Sequence, residues 1–303
     1  MTSGADDAGI GHVVVLGAGA VGMLVVETLR DRSSRRTMVD RDPALGIDRG
    51  DGLVRVVADV TSPDDLPAWV TALRDASVIV LSLPETVVRT VLPVLAAHAP
   101  ETALVVETCS VKTNVAAALD DVWSGRPALG INPLFRPSLG IEGRRVALIP
   151  YRRGGPVEAV EEELVAKGAV LVPLDAAEHD RLASVTQSLA HACLLAFGAA
   201  VAECRSELSV ADLMDMAPPP FLALLSLSVR VAAGDVAVYR EIQDTEGGRR
   251  VRTAMTDALA ALDRAAGDDA DFERLQTTIR DAFGPDLVAG LLDTSEALLS
   301  ELK

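Results

Sequence analysis

The sequence predicts a two-part α/β protein: a doubly wound parallel-sheet domain over residues 1-174, then an all-α domain over residues 175-303. Three observations carry this. Short β-branched runs alternate with helical stretches from about residue 11 to 174, the rhythm of βαβ units. A glycine-rich turn follows the first of those runs. Beyond Ala176 strand signals vanish and the pattern turns helical.

The elements follow in order. HVVVLG, RTMVD and LVRVVADV are strands, with the helical AVGMLVVETLR between the first two. DDLPAWVTALRD is a helix leading to the strand SVIVLSLP, and ETVVRTVLPVLAAH a helix leading to the strand TALVVET. Residues 78-81 are wholly apolar, which marks a strand buried on both faces. RVALIPY, the helical PVEAVEEELVAKG and AVLVPL complete a sheet expected to be parallel. In the second part, Pro218, Pro219 and Pro220 break the helical run, and residues 249-266 form an alanine-rich amphipathic helix. Helices so rich in alanine struggle to hide their apolar surface alone, so a homodimer built from this half is expected.

Composition narrows the function classes. Aspartate plus glutamate outnumber lysine plus arginine by 44 to 28, for a net charge of -16. That field repels phosphate backbones and anionic lipid, so nucleic acid and membrane are not expected partners, and an anionic small molecule must meet local arginines. Three scattered cysteines, Cys109, Cys193 and Cys204, make neither a disulfide framework nor a metal cluster; they fit a reducing, cytoplasmic setting and no metal. MTSGADDAGI is acidic and unlike a secretory signal. Residues 182-202, LASVTQSLAHACLLAFGAAVA, carry no formal charge with histidine neutral and are long enough to span a bilayer. Ser184, Thr186, Gln187, Ser188 and His191 would be costly in lipid, so this is expected to be a core or dimer-interface helix.

VVVLGAGAVGMLV places Gly17, Gly19 and Gly22, with Ala18, Ala20 and Val21 between them, after a strand and at a helix start. The first glycine permits the turn, the second lets a pyrophosphate approach the backbone, and the third lets helix and strand pack closely. The bland alternative is an ordinary glycine turn. Asp40, ending the next strand, argues for a Rossmann-type dinucleotide site, because its carboxylate suits both ribose hydroxyls and repels a 2′-phosphate. NAD is therefore expected, while Arg41 leaves NADP open. Ser82, Leu83 and Pro84 end the fourth strand where the cofactor crosses; their bland reading is a proline-started helix. Ser110 and Lys112 lie past the next strand end, and Asn132, in GINPLFRP, at the one after.

Four histidines remain to be placed, at 12, 98, 179 and 191. His12 and His98 read as structural. His179, in AEHDR, suits a helix cap or hydrogen bond as well as a functional role. His191 sits mid-helix, where a satisfied core histidine is the bland reading. Arg230 interrupts the apolar FLALLSLSVRVAAGD, and an arginine on a buried face wants an anion.

LGAGAVG, SLPETVV, SVK, GINPLFRP, EHDRLASVTQSLAH and VRVAAGDVAVYREI, in that order and spacing, resemble the prephenate dehydrogenase family over nearly the whole chain, with no added regulatory or mutase domain in view. The resemblance implies an NAD-binding domain joined to a helical dimerisation domain, and oxidative decarboxylation of a cyclohexadienyl substrate. It implies that Ser110 bonds the substituent at ring C4, that His191 lines the substrate pocket and that Arg230 grips a carboxylate, reversing the bland readings of the last two. Lys112 and Gln187 are expected as further substrate contacts, and Arg136, where the family pattern has glycine, as a second carboxylate contact.

Asn132 departs from that resemblance. The family pattern is G-x-H-P-M-F, and its histidine is the general base that takes the proton from the C4 hydroxyl. An amide has no proton affinity near neutral pH, and loss of a general base costs about a hundred- to ten-thousandfold. A neutral amine at C4, in contrast, donates its lone pair without a base and needs only an acceptor to orient its N–H bonds. The expected substrate is thus 4-amino-4-deoxyprephenate, giving 4-aminophenylpyruvate for specialised metabolism such as antibiotic biosynthesis. The alternatives are a prephenate or arogenate dehydrogenase using water or His191 as base, a catalytically silent NAD-binding dimeric sensor, and a Rossmann dehydrogenase for an unrelated substrate.

Overall fold

A computed structural model describes residues 9-46, 50-205 and 208-302. Most of the acidic opening segment, residues 1-8, lies outside the described residues. The chain divides into two compact units, Met1–Asp180 and Arg181–Lys303.

The first unit is built on eight strands: β1 (Gly11–Leu16), β2 (Ser33–Asp40), β3 (Leu53–Val57), β4 (Val78–Leu81), β5 (Leu104–Glu107), β6 (Ala128–Pro133), β7 (Arg145–Arg152) and β8 (Val170–Pro173). Their order across the sheet is β3-β2-β1-β4-β5-β6-β7-β8. Helices α1 (Ala20–Thr28), α2 (Leu66–Leu73), α3 (Glu85–His98), α4 (Thr113–Val122) and α5 (Val157–Ala166) connect them. Successive residues of a strand point to opposite faces, and here both faces are covered. Val13 and Val15 of β1 pack into one core with Val78, Val80, Leu104 and Val106. Val14 and Leu16 pack into the other with Ile79, Leu81, Val105, Trp69 and Trp123. The continuous apolar run at 78-81 is buried throughout, as its composition predicts.

One expectation is corrected. The sheet is parallel through β6, but β7 runs antiparallel to β6, with Asn132 opposite Ala147 and Pro133 opposite Val146. A parallel return needs a crossover of a dozen residues or more, generally a helix. Residues 134-144 supply only a loop with one 3-10 turn, Pro137–Leu139, so the chain reverses instead. β7 and β8, joined through α5, are again parallel.

The second unit has no strand among its described residues. It comprises the end of α6 (Ala176–Ala183), a π-helical turn at Ser184–Leu189, then α7 (Ala190–Cys204), α8 (Val210–Asp215), α9 (Pro219–Ala232), α10 (Val236–Gln243), α11 (Glu246–Ala265), α12 (Asp269–Phe283) and α13 (Pro285–Ser300). Pro219 and Pro220 occupy the first turn of α9, where the missing N–H groups cost nothing. Gly198 lets α7 and α9 approach closely, since any Cβ there would overlap the Ser228 hydroxyl. The expected division after residue 174 falls just past β8; the first turn of α6 stays with the sheet because its side chains bond to it, as described below.

The neutral stretch at 182-202 belongs to a helical segment, Ala176–Cys204, long and apolar enough to cross a membrane, with a mean hydropathy of 1.5. Only 11% of that window is buried inside the chain, so it is not a core helix of its own unit. Its polar groups are nonetheless used within the unit: the Ser188 hydroxyl donates to Ile242 O at 3.1 Å, and Gln243 Nε2 donates to Ser188 O at 2.8 Å.

Candidate active site

The carboxyl ends of β1, β4, β5 and β6 lie side by side on one edge of the sheet, the place where open α/β sheets bind ligands. Gly17, leaving β1, has φ +101°, and a Cβ there would collide with Ser82 O. At Gly22 a Cβ would run into Gly17 O, so this glycine lets α1 pack onto the turn. Gly19, the N-cap of α1, has nothing within 4 Å of where its Cβ would be. Its missing side chain therefore serves no contact within the protein and leaves an open approach to a helix N-terminus, which suits a pyrophosphate. Gly19 and Ala20 are exposed, Ala18 and Val21 half-buried.

Asp40 ties this turn to the next strand. Ala18 N–H donates to Asp40 Oδ2 at 2.6 Å, and Asp42 N–H donates to Oδ1 at 2.9 Å. The carboxylate is thus fixed beside the glycine turn and still half-exposed, with Arg41 exposed next to it. Ser82, Leu83 and Pro84 are half-buried at the end of β4, where Ser82 N–H donates to Leu16 O at 2.9 Å. These residues fit a dinucleotide.

A polar assembly underlies the ends of β5 and β6. Glu107 ends β5 and Lys112 precedes α4, and both are fully buried. Lys112 Nζ donates to Glu107 Oε1 at 2.7 Å and to Ile131 O at 2.9 Å. The Tyr151 hydroxyl donates to Glu107 Oε1 at 2.8 Å, and Cys109 N–H to Oε2 at 2.8 Å. Burial, then the charge of Glu107, pushes the Tyr151 hydroxyl far above its ordinary value, so it remains a donor.

Above this assembly stands Asn132, only 5% exposed. Its Nδ2 donates to His179 Nε2 at 3.0 Å, and His179 Nδ1 donates to Asp180 Oδ1 at 2.9 Å. Asp180 in turn accepts from Lys112 N–H at 2.8 Å through Oδ1, and through Oδ2 from Thr113 N–H at 2.9 Å and the Thr113 hydroxyl at 2.7 Å. A carboxylate on the first N–H groups of α4 also meets the positive end of that helix. Burial works to raise the Asp180 carboxyl, but the hydrogen bonds from His179, Thr113 and Lys112 outweigh it and hold it below the ordinary range.

These facts sort the expected contacts. Ser110 is half-buried past the end of β5. Arg136 is exposed beyond β6 without a partner among the described residues. Lys112 is a correction: its ammonium is sealed on Glu107 and Ile131 O, so it reaches no ligand, and its place in the site is structural. In the second unit, Arg230 lies in the last turn of α9 and is exposed, not on a buried face as its apolar neighbours suggested. Leu227 and Val229 beside it are exposed as well, while Ser228 and Val231 are buried, so the apolar run is interior on one face only. His191 packs edge-on against Tyr239 with ring centroids 4.9 Å apart, and burial lowers its pKa. Its Nδ1 and the Gln187 Oε1 are sealed polar atoms without partners among the described residues. Sequence reasoning missed Glu107, Tyr151 and Asp180, and left His179 undecided between a structural and a functional role; a glutamate in the wholly buried strand LVVE was the one legible sign.

Comparisons with known proteins show the family. The family described as prephenate dehydrogenase, nucleotide-binding domain, matches residues 44–193. A protein of Streptomyces pristinaespiralis named 4-amino-4-deoxyprephenate dehydrogenase is 38% identical over 275 residues, 90% of each chain. The chain belongs to the prephenate dehydrogenase family. Among solved structures of the family, prephenate dehydrogenase from Aquifex aeolicus, in complex with hydroxyphenyl propionate and NAD+, superposes with a TM-score of 0.69 at 18% identity, covering 89% of this chain and 95% of that one. Synechocystis arogenate dehydrogenase superposes with a TM-score of 0.60 at 19% identity, covering 94% and 98%. As a family member the chain is an NAD-dependent oxidoreductase.

Proposed function

We propose that the chain catalyses the NAD-dependent oxidative decarboxylation of 4-amino-4-deoxyprephenate to 4-aminophenylpyruvate and CO2. The observation that carries this reading is Asn132: a buried amide stands where the family pattern has its basic histidine. The name of the Streptomyces pristinaespiralis relative supports the same substrate.

The residues divide the work as follows. Gly19 and the first turn of α1 receive the pyrophosphate, and Asp40 takes the ribose hydroxyls and disfavours a 2′-phosphate. NAD, when bound, accepts the hydride from ring C4. The amine lone pair supports C4 as the hydride leaves, and loss of CO2 returns an electron pair to the ring, so the steps balance with no net proton removed. Asn132 orients the amine, and Ser110 bonds the same substituent. Arg136 and Arg230, exposed and without partners among the described residues, are the cations for the substrate's carboxylates in an otherwise acidic protein. His191 and Gln187 are proposed substrate contacts, as the family resemblance implies, through atoms other than the sealed His191 Nδ1 and Gln187 Oε1.

The exposed apolar residues of the helical unit, such as Val229 at 58% and Val236 at 78%, support a homodimer. All three cysteines are free, which fits the cytoplasm and a place in specialised metabolism.

The deciding experiment is NADH formation with prephenate, arogenate and 4-amino-4-deoxyprephenate side by side, repeated with NADP. Fastest turnover of the amino compound with NAD is expected. Faster oxidation of either hydroxyl compound overturns the substrate assignment.

A further inference from the structure

The amide of Asn132 is not free to choose which end it shows. Asp180 receives three hydrogen bonds from Lys112 and Thr113, which keep it an ionised acceptor. The His179 nitrogen facing it, Nδ1, must therefore carry a hydrogen. In a neutral ring the other nitrogen, Nε2, is then a lone pair and can only accept. Of the two ends of the Asn132 side chain, only the NH2 can satisfy it, and Nδ2 lies 3.0 Å away. The carbonyl oxygen is left as the end without a partner among the described residues, and it is not one of the sealed polar atoms.

We propose that His179, its tautomer set by Asp180, is the positioning residue that fixes Asn132 with its carbonyl oxygen toward the reacting substituent. This rests on the amino-substrate reading for its consequence, though not for its geometry. An amine with two N–H bonds needs an acceptor in front of it, and an amide turned the other way would present a donor to a donor. His179 itself does not act as the base, because its one lone pair is spent on Asn132. The arrangement selects substrate in two stages: the imidazole sets the amide, and the amide sets the amine.

Two measurements test it. The full-length protein, 15N-labelled at histidine, gives a ring tautomer for each of its four histidines in two-bond 1H–15N correlation spectra at alkaline pH. The His179 signals are assigned by loss in His179→Gln or, if that variant does not fold, by removing the other three in turn. A neutral ring protonated at Nδ1 is expected; a ring protonated at Nε2, alone or with Nδ1, overturns the proposal. The second measurement is a double-substitution cycle with 4-amino-4-deoxyprephenate. His179→Gln, whose amide can present either end to Asn132, should lower kcat about tenfold with little change in KM, the scale of one lost positioning hydrogen bond. In an Asn132→Ala background the same substitution should change kcat by less than about twofold. An equal loss in both backgrounds assigns His179 a purely structural role and overturns the proposal. If the substrate assignment fails because a hydroxyl compound is oxidised faster, the tautomer measurement still decides the geometry separately.

Discussion

Lys112 and Glu107 form a salt bridge of 2.7 Å in which neither side chain touches solvent. The pair does more than neutralise itself. The Lys112 ammonium also bonds Ile131 O, the carbonyl just before Asn132, and the Lys112 backbone N–H bonds Asp180. One residue thus fixes the end of β6 and the carboxylate behind His179. Lys112→Met leaves Glu107 as an uncompensated buried charge and is expected to cost about 3–5 kcal/mol. The double variant Lys112→Met, Glu107→Gln should recover a large part of that loss. Urea denaturation of the three proteins measures it; a single variant as stable as the parent would show that the buried pair contributes nothing.

Asp180 gives a pH signature. Its carboxyl is held below its ordinary value in the folded protein, so the stability it contributes is present above the unfolded-state pKa, about 3.9, and is lost as pH falls through the lower folded value. Asp180→Ala is therefore expected to be less stable than the parent at pH 7, by about 2 kcal/mol for charge-assisted hydrogen bonds. The two stability curves should converge below pH 4. Parallel curves down to pH 3 would show that the hydrogen bonds from His179, Thr113 and Lys112 do not depend on the ionised carboxylate.

The three glycines of the turn should separate fold from ligand. A Cβ at Gly22 meets Gly17 O, and one at Gly17 meets Ser82 O with φ at +101°, so alanine at either position is expected to lower Tm by several degrees. A Cβ at Gly19 meets nothing. Gly19→Ala should keep the parent Tm yet weaken NAD binding at least tenfold, read by calorimetric titration. Unchanged affinity in that variant would remove Gly19 from the cofactor site.

These residues also show how far sequence carries. The glycine turn and Asp40 were legible because the turn needs residue types that little else needs, at a fixed place after a strand. Asn132 was legible because an amide replaced a base at a recognisable position. The reversal of β7 depends on a loop too short to hold a crossover, which the apolar pattern of RVALIPY does not reveal. The role of His179 was hidden for another reason: its partner Asn132, and the Lys112 and Thr113 that hold its other partner Asp180, lie 47 or more residues away, and periodicity reads only neighbours. Lys112 misled because a lysine past a strand end looks like a ligand contact until its ammonium is found buried on Glu107 and Ile131 O. Arg230 misled because an apolar helix was read as an interior one, while α9 keeps many of its large side chains exposed within the single chain.

The last prediction concerns Asn132 itself. Asn132→His restores a base that titrates near neutrality, and the structure already holds a partner for it. An imidazole in place of the amide can use Nδ1–H where Asn132 uses Nδ2–H, donating to the His179 lone pair. The same His179–Asp180 arrangement that orients the amide would thus fix the tautomer of the new ring and leave its Nε2 unprotonated toward the substrate. The ratio of prephenate to 4-amino-4-deoxyprephenate turnover is expected to rise by about tenfold or more, short of or up to the hundred- to ten-thousandfold that a general base supplies. Asn132→Ala, which offers neither acceptor nor base, should slow the amine substrate without abolishing it, because the nitrogen lone pair still supports hydride loss. Asn132→His combined with His179→Gln separates base from support: if the new histidine depends on its partner, the gain in prephenate turnover should shrink. An Asn132→His variant with an unchanged substrate ratio would mean that the residue at position 132 does not govern which ring substituent is oxidised.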